Sequence, residues 1–138
     1  MNIEIRPGGE ADLAAIARIQ AASPEASQWD VLEYLKYDLT VAVCNGRIAG
    51  FAVARRLAEG ESELLNLAVD PEFRRRGVGR CLVAQLTASH PGVLWLEVRE
   101  SNTGARKLYK SLGFLDVSRR PGYYPGSSET AIVMNVHS

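Results

Sequence analysis

The segment from residue 62 to residue 89 constrains the fold more than any other part of this sequence, because it places a loop rich in glycine and arginine between a strand and a helix. The apolar stretch SELLNLAVD predicts a strand that ends at Asp70-Pro71, and a helix is predicted over residues 77–89. Gly77 and Gly79 lie where the loop enters the helix. Glycine allows positive φ angles and leaves the main chain open to close approach by a ligand.

A loop of this kind predicts a cradle for a phosphate or pyrophosphate group. Free backbone N–H groups at a helix N-terminus, helped by the helix dipole, bind anions, and arginines can add paired hydrogen bonds. The run RRRGVGR lacks the third glycine of a dinucleotide fingerprint and the Lys-Ser/Thr pair of a P-loop. The composition of the loop also allows a second interpretation, a surface loop with solvated arginines and a glycine needed for tight packing.

The overall charge argues against a dedicated nucleic-acid-binding protein. Lys+Arg and Asp+Glu number 16 each among 138 residues, so the formal net charge is zero, whereas polyanion binders usually carry a basic excess. Any affinity for phosphate must therefore be local, and the arginine run is where basic residues concentrate.

The cysteines and the N-terminus predict a cytoplasmic protein that does not associate with membranes. Cys44 and Cys81 each lie in an apolar run, which is typical of buried free thiols in a reducing compartment. The first residues contain acids and no apolar core of a signal peptide, and no apolar run is long enough to span a bilayer. His90 and His137 are expected in a loop and in the tail, so no metal site is predicted.

Hydrophobic patterns along the chain predict an α/β (α+β) fold in one domain, residues 1–138, with a mixed, mostly antiparallel sheet of about seven strands flanked by about four helices. The predicted strands cover residues 2–6, 39–44, 47–56, 62–70, 93–98, 114–119 and 129–136. The predicted helices cover residues 11–22, 29–37, 77–89 and 102–112. Ser27 is expected to cap the second helix, and the strand 93–98 is expected to be central because it is apolar on both faces.

Glu97 and Tyr109 are candidates for acid–base chemistry. Glu97 interrupts VLWLEV and shares a face with Trp95 by alternation, where poor hydration would raise the pKa of a carboxyl group toward neutrality. Such a base suits removal of a proton from an amine. The alternative is an acid at the strand end that is solvated or paired with Arg99.

Tyr109 lies at the edge of an apolar helix face, where a tyrosine is usually a core residue with a solvated hydroxyl.

Three stretches of the chain resemble a known family. NLAVDPEFRRRGVGRCLV carries the pattern Arg74-x-x-Gly77-x-Gly79, and it is followed by LWLEVRESNTGARKLYKSLGF and RRPGYYPGSSETAIVM. In this order and spacing they resemble the GNAT superfamily of N-acetyltransferases, and most closely its RimI-type branch, the bacterial ribosomal-protein-alanine N-acetyltransferases.

The resemblance implies acetyl-CoA as the cosubstrate. The strand before the loop would pair with the pantetheine arm, the loop would hold the pyrophosphate, and Asn102 would touch the cofactor from a position that is also typical of a helix N-cap. The implied coenzyme contacts are Leu67, Ala68, Val69, Arg74, Arg75, Arg76, Gly77, Val78, Gly79, Arg80 and Asn102.

The resemblance also implies that Glu97 is the general base and Tyr109 the general acid of a direct acetyl transfer to a primary amine, such as the N-terminal α-amine of a protein, including a ribosomal protein. Trp29, Tyr123 and Tyr124 would contact the incoming N-terminus, or would only pack down their loops. We expect a monomer or weak dimer that binds no nucleic acid. A GNAT enzyme for small-molecule amines and a non-catalytic CoA-binding module are the two alternatives.

Overall fold

The computed structural model describes residues 2–124 and 126–138. Within that part the chain forms seven strands, three α-helices and three short 3₁₀ segments. The strands are β1 (Ile3–Pro7), β2 (Asp38–Cys44), β3 (Arg47–Ala58), β4 (Glu61–Val69), β5 (Val93–Arg99), β6 (Leu115–Arg120) and β7 (Ala131–His137). The α-helices are α1 (Leu13–Ala21), α2 (Val78–Ser89) and α3 (Thr103–Ser111), and the 3₁₀ segments are Glu10–Asp12, Val31–Lys36 and Pro71–Phe73.

All seven strands lie in one sheet with the order β1-β2-β3-β4-β5-β7-β6. Every neighbouring pair is antiparallel except β4 and β5, which are parallel. The parallel pairing stops at Leu64 and Leu96. On the other side of β4, Val53 pairs with Asn66 and Ala54 with Leu64, so Leu65 is the extra residue of a bulge.

The bulge explains why β4 and β5 separate beyond this point, because an extra residue bends its strand and increases the local twist. The C-terminal half of β4 stays paired with β3, but its other edge has no strand partner in the described part of the chain. A wedge therefore opens in the middle of the sheet.

Two cores form on the two faces of the sheet. Helices α2 and α3 cover one face, where Leu82, Leu86 and Phe114 are fully or almost fully buried. On the other face α1 packs against β3 and β4, and the segment Val31–Lys36 packs against β2. The part of this second face formed by β5, β7 and β6 carries the half-buried Trp95 and the exposed Val117.

The predicted fold class is confirmed, with β5 in the interior of the sheet as expected. The segment predicted as a helix over residues 29–37 is a 3₁₀ turn at Val31–Lys36. The expectation that Ser27 caps it is wrong: Asp30 accepts a hydrogen bond from the N–H of Leu32, because its carboxylate directly precedes the first turn.

Pro125, in the predicted loop 120–128, lies outside the described residues. No helix of the described part has the length and apolar character needed to cross a bilayer.

Candidate active site

A cleft of about 1080 Å³ occupies the wedge between β4 and β5. Its lining contains nearly all the side chains and glycines that the sequence predicted as functional. These are Trp29, Leu67, Ala68, Val69, Arg74, Arg75, Gly77, Val78, Gly79, Arg80, Glu97, Asn102, Tyr109, Tyr123 and Tyr124. Arg76 is outside this lining, and its guanidinium lies 5.8 Å from the centre of the Phe73 ring.

The loop of residues 74–80, the Gly/Arg loop, presents main-chain donors to the cleft. Arg75 has φ +63° and Gly77 has φ +84°, so the chain turns through the left-handed region twice before α2 begins. The first intrahelical hydrogen bond runs from the N–H of Cys81 to the carbonyl of Gly77 at 3.0 Å. The N–H groups of Val78, Gly79 and Arg80 precede it, and Gly77 has no side chain to cap them. This geometry is suited to binding an anion.

Gly79 has a packing role as well. A Cβ atom at this position would lie 3.1 Å from Cδ2 of Leu108, so glycine lets α2 start close to α3. The tight-packing interpretation therefore applies to Gly79, and the geometry of the loop is compatible with the anion cradle, which stays a prediction.

The arginines of the loop have different surroundings. Arg74 donates to the carbonyl of Val69 at 3.2 Å, to Oγ of Ser23 at 3.2 Å and to Oε1 of Glu25 at 3.3 Å. It thereby ties the end of β4 to the segment that follows α1. Arg80 donates to Oγ of Ser111 at 2.8 Å, which links α2 to α3.

Asn102 and the free edge of β4 face the cleft from its two sides. Leu67, Ala68 and Val69 lie beyond the last parallel pair, so this edge of β4 can accept an extended ligand as an added strand. Oδ1 of Asn102 accepts a hydrogen bond from the N–H of Ala105 at 3.2 Å, so this side chain is the N-cap of α3.

Glu97 is the first residue of β5 beyond the parallel pairing. Its side chain is 27% exposed, and its Oε1 lies 3.0 Å from Nη1 of Arg120. The partner is therefore Arg120 on β6 rather than Arg99, whose guanidinium lies 4.0 Å from the centre of the Tyr124 ring. The alternation pattern of β5 does not reveal an arginine on β6, since that contact depends on the order of the strands.

Tyr109 is only 6% exposed and packs against Phe114 with 5.5 Å between ring centres. Burial raises the pKa of Tyr109 above its ordinary value, which keeps the phenol protonated at neutral pH. Within the described residues its hydroxyl has no hydrogen-bond partner, and the residue lines the cleft. It can therefore donate a hydrogen bond to a ligand.

A buried polar cluster that we did not predict supports the front of the cleft. Nδ2 of Asn66 donates to the carbonyl of Ser27 at 3.0 Å and to Oη of Tyr34 at 2.9 Å. Nε2 of Gln20 donates to the carbonyl of Trp29 at 2.6 Å, and its Oε1 accepts from Tyr34 and Asn66. The signal that could have found it is the amide within the apolar run LLNLAV.

This cluster fixes residues 24–29, here called the front loop, all of which line the cleft. Tyr123 and Tyr124 also line it and stack edge to face, with ring centres 5.3 Å apart. The guanidinium of Arg120, which pairs with Glu97, lies 5.3 Å from the centre of the Tyr123 ring. Tyr123 and Tyr124 thus border the part of the cleft that holds Glu97, and Trp29 lines the cleft from the front loop.

A model of the acetyltransferase (GNAT) family matches residues 12–114, which include the Gly/Arg loop, Glu97 and Tyr109. The chain belongs to the GNAT family. As a GNAT enzyme it is an N-acetyltransferase, which confirms the predicted enzyme class.

Individual relatives agree with the predicted branch of the GNAT family. The ribosomal protein bS18-alanine N-acetyltransferase of Escherichia coli is 42% identical over an alignment 107 positions long, which covers 73% of this chain and 70% of that protein. The crystal structure of the Escherichia coli ribosomal-protein-S18-alanine N-acetyltransferase superimposes with a TM-score of 0.83 at 33% identity, over 98% of this chain and 93% of the other. Ard1 from Thermoplasma volcanium gives a TM-score of 0.88 at 29% identity, over 99% and 97% of the two chains.

Proposed function

We propose that this GNAT enzyme transfers the acetyl group of acetyl-CoA to the N-terminal α-amine of a protein, and that the acceptor is a ribosomal protein beginning with alanine. One observation carries the proposal: where β4 and β5 separate, a main-chain anion site, a carboxylate and a protonated phenol line one cleft. The bS18-alanine acetyltransferases among its relatives support the acceptor.

Acetyl-CoA would lie along the free edge of β4 and end at the Gly/Arg loop. The N–H groups of Val78, Gly79 and Arg80 would hold the pyrophosphate, and the main chain of Leu67 to Val69 would pair with the pantetheine arm. Arg75 lines the cleft and makes no ion pair within residues 2–124 and 126–138, so its charge is available to a phosphate.

The reaction would be a direct transfer in which the amine nitrogen attacks the thioester carbonyl. Glu97 would take a proton from the amine, directly or through a water molecule, as the N–C bond forms and the C–S bond breaks. An α-amine has a pKa of about 8, against about 10.4 for lysine, so an N-terminus is more easily deprotonated. Holding the two reactants together removes the penalty of a bimolecular encounter.

Tyr109 would stabilise the departing thiolate. Because burial raises the pKa of Tyr109, the gap between this phenol and a thiol of pKa about 8.5 widens, and full proton transfer becomes less favourable. Hydrogen-bond donation from the phenol to the developing negative charge is then the larger part of its role. Neither Cys44 nor Cys81 belongs to the described lining, so the proposal needs no acetyl-cysteine intermediate.

A thiol-release assay with matched acceptors tests the proposal. The acceptors are a hexapeptide beginning with alanine, the same peptide with other first residues, an Nα-blocked peptide with one lysine, and a small polyamine. We expect release with the free alanine N-terminus, and mass spectrometry should place the acetyl group on the α-nitrogen. Faster turnover of the lysine or of the polyamine would contradict the proposed acceptor, and coenzyme binding without any turnover would contradict catalysis.

We also propose that the reaction takes place in the cytoplasm, where the two free cysteines would remain reduced.

A further inference from the structure

A second groove opens from the cleft onto the part of the second face of the sheet, formed by β5, β7 and β6, that α1 does not cover. It has a volume of about 380 Å³ and shares Glu63, Leu96 and Glu97 with the cleft. Its other lining residues are the apolar Leu57, Trp95, Val117 and Val133 and the polar Glu61, Ser118 and Arg120. The groove is thus continuous with the position of Glu97.

Trp95 lines this groove. It precedes Glu97 by two residues on β5 and points to the same face of the sheet, because side chains alternate along a strand. Its indole Nε1 donates to Oε1 of Glu61 at 3.2 Å, which fixes the orientation of the ring. A tryptophan that is only half buried in an interior strand leaves an apolar surface that water covers poorly.

The walls of the groove add to this apolar surface. Val117 on the edge strand β6 is 51% exposed, and Leu57 on β3 is also exposed. Glu63 and Glu97 are paired with Arg55 at 2.8 Å and Arg120 at 3.0 Å. These pairs leave little net charge on the groove itself.

The spacing of Trp95 and Glu97 matches that of an extended peptide. Two residues of a strand span about 6.6 Å, and an extended acceptor covers the same distance between its first and third residues. Residues 1 and 3 of such a peptide also project their side chains to the same side. An acceptor whose α-amine lies at Glu97 and whose chain runs along β5 therefore brings its third side chain over Trp95.

We infer that this groove is a subsite for the third residue of the acceptor polypeptide and that it selects a large apolar or aromatic side chain there. The inference rests on the proposed function, since an acceptor polypeptide continues beyond an α-amine at Glu97 and can extend to Trp95. An aromatic side chain would cover the exposed indole face, and the Glu61 carboxylate, which has no basic partner among the described residues, disfavours an acidic residue. A small amine would leave the groove unused.

The test uses three alanine-initiated hexapeptides that differ only at position 3, which is phenylalanine, glycine or aspartate. We expect the wild-type enzyme to favour phenylalanine over glycine by about tenfold in kcat/KM and to disfavour aspartate. In Trp95→Ala this preference should fall to within about twofold. Val117→Asp, on an exposed edge strand where folding is not at risk, should also reduce it.

Leu115→Asp is the matched control, because Leu115 lies on the same strand, is 71% exposed and is outside the groove. It should retain the wild-type preference. Equal turnover of the phenylalanine and glycine peptides by the wild type, or an unchanged preference in both groove variants, would overturn the inference and leave the proposed function intact. Failure of the wild type to acetylate any of the peptides would overturn the proposed function and this inference with it.

Discussion

The Gly/Arg loop and the front loop both line the cleft, but they are built on different principles. The Gly/Arg loop offers main-chain N–H groups whose directions are set by two left-handed residues and by the start of α2. The front loop is held by buried side-chain amides that come from α1 and β4. A main-chain site depends on a few adjacent residues, whereas the front loop also depends on contacts of Asn66 with residues that are 32 to 46 positions away.

This difference suggests that the two loops can be disturbed separately. Changes in the Gly/Arg loop should affect the coenzyme, changes in the support of the front loop should affect the acceptor, and changes between them should affect the chemical step. Four predictions test this separation.

The largest effect is expected for Glu97 and Tyr109, which line the same cleft as the Gly/Arg loop and the front loop. Glu97→Gln should lower kcat by about 10²–10⁴-fold because the amine loses its proton acceptor, and Tyr109→Phe should lower it by about 10–10²-fold. The Kd for acetyl-CoA, measured by calorimetry, should stay within about twofold. Glu100→Gln is the control, since Glu100 pairs with Arg119 and is outside the cleft lining. Near-normal kcat in both Glu97→Gln and Tyr109→Phe would refute the assigned roles.

Gly77→Val should weaken acetyl-CoA binding by about tenfold or more without a comparable change in the acceptor KM. A β-branched residue is strained at φ +84°, and relief of that strain, about 1–2 kcal/mol, would rotate the N–H groups that follow. Gly46→Val provides the control: Gly46 has φ +74° and equally open surroundings, but it lies in the β2–β3 hairpin turn. If both variants lose coenzyme affinity equally, the effect comes from general destabilisation rather than from the loop.

Gln20→Leu should weaken the binding of the acceptor and leave the binding of acetyl-CoA unchanged. It removes the donor to the Trp29 carbonyl and leaves the buried Tyr34 hydroxyl without its acceptor, so the free energy of unfolding should fall by about 1–3 kcal/mol. The acceptor KM should rise by about tenfold while the Kd for acetyl-CoA stays constant. Gln20→Glu, which retains the acceptor oxygen, should recover part of the effect. Equal changes in both substrates would show that the two loops are not independent.

The smallest effect concerns Asp70, which follows β4, lies four residues before the Gly/Arg loop and pairs with Arg18 of α1. Burial opposes ionisation, but the N–H of Glu72 and the guanidinium of Arg18 at 2.9 Å outweigh it and hold the pKa of Asp70 below its ordinary value. A lowered native pKa stabilises the fold above the unfolded pKa of about 3.9, and that stability is lost as the pH falls through the native pKa. Asp70→Asn should therefore cost about 1–2 kcal/mol at pH 7, a figure reduced by the exposure of Arg18.

Thermal unfolding of both proteins from pH 7 to pH 3 measures this effect. The difference in Tm should be largest near neutrality and should shrink in acid. Asp116→Asn is the control, because Asp116 is exposed and lies 3.7 Å from its basic partners. A difference that does not depend on pH would contradict the role of the Asp70 charge.

The sequence by itself determined the strands, the α-helices, the hairpin turn and the Gly/Arg loop, because each depends on residues close together in the chain. Alternation within VLWLEV identified β5 and its acid, and Gly77 and Gly79 marked the point where the loop enters α2. The likeness of these stretches to the GNAT family led to the enzyme class, which the family match confirmed.

Only the tertiary structure decided the rest of the cleft. The pairing of Glu97 with Arg120 needs β6 folded back beside β7, and the support of the front loop needs Asn66, Tyr34 and Gln20 brought together from three separate elements. The wedge itself arises from the bulge at Leu65, which appears only when β4 is paired with β3. Contacts of this kind follow from the order and bending of strands, which local patterns of hydrophobicity do not encode.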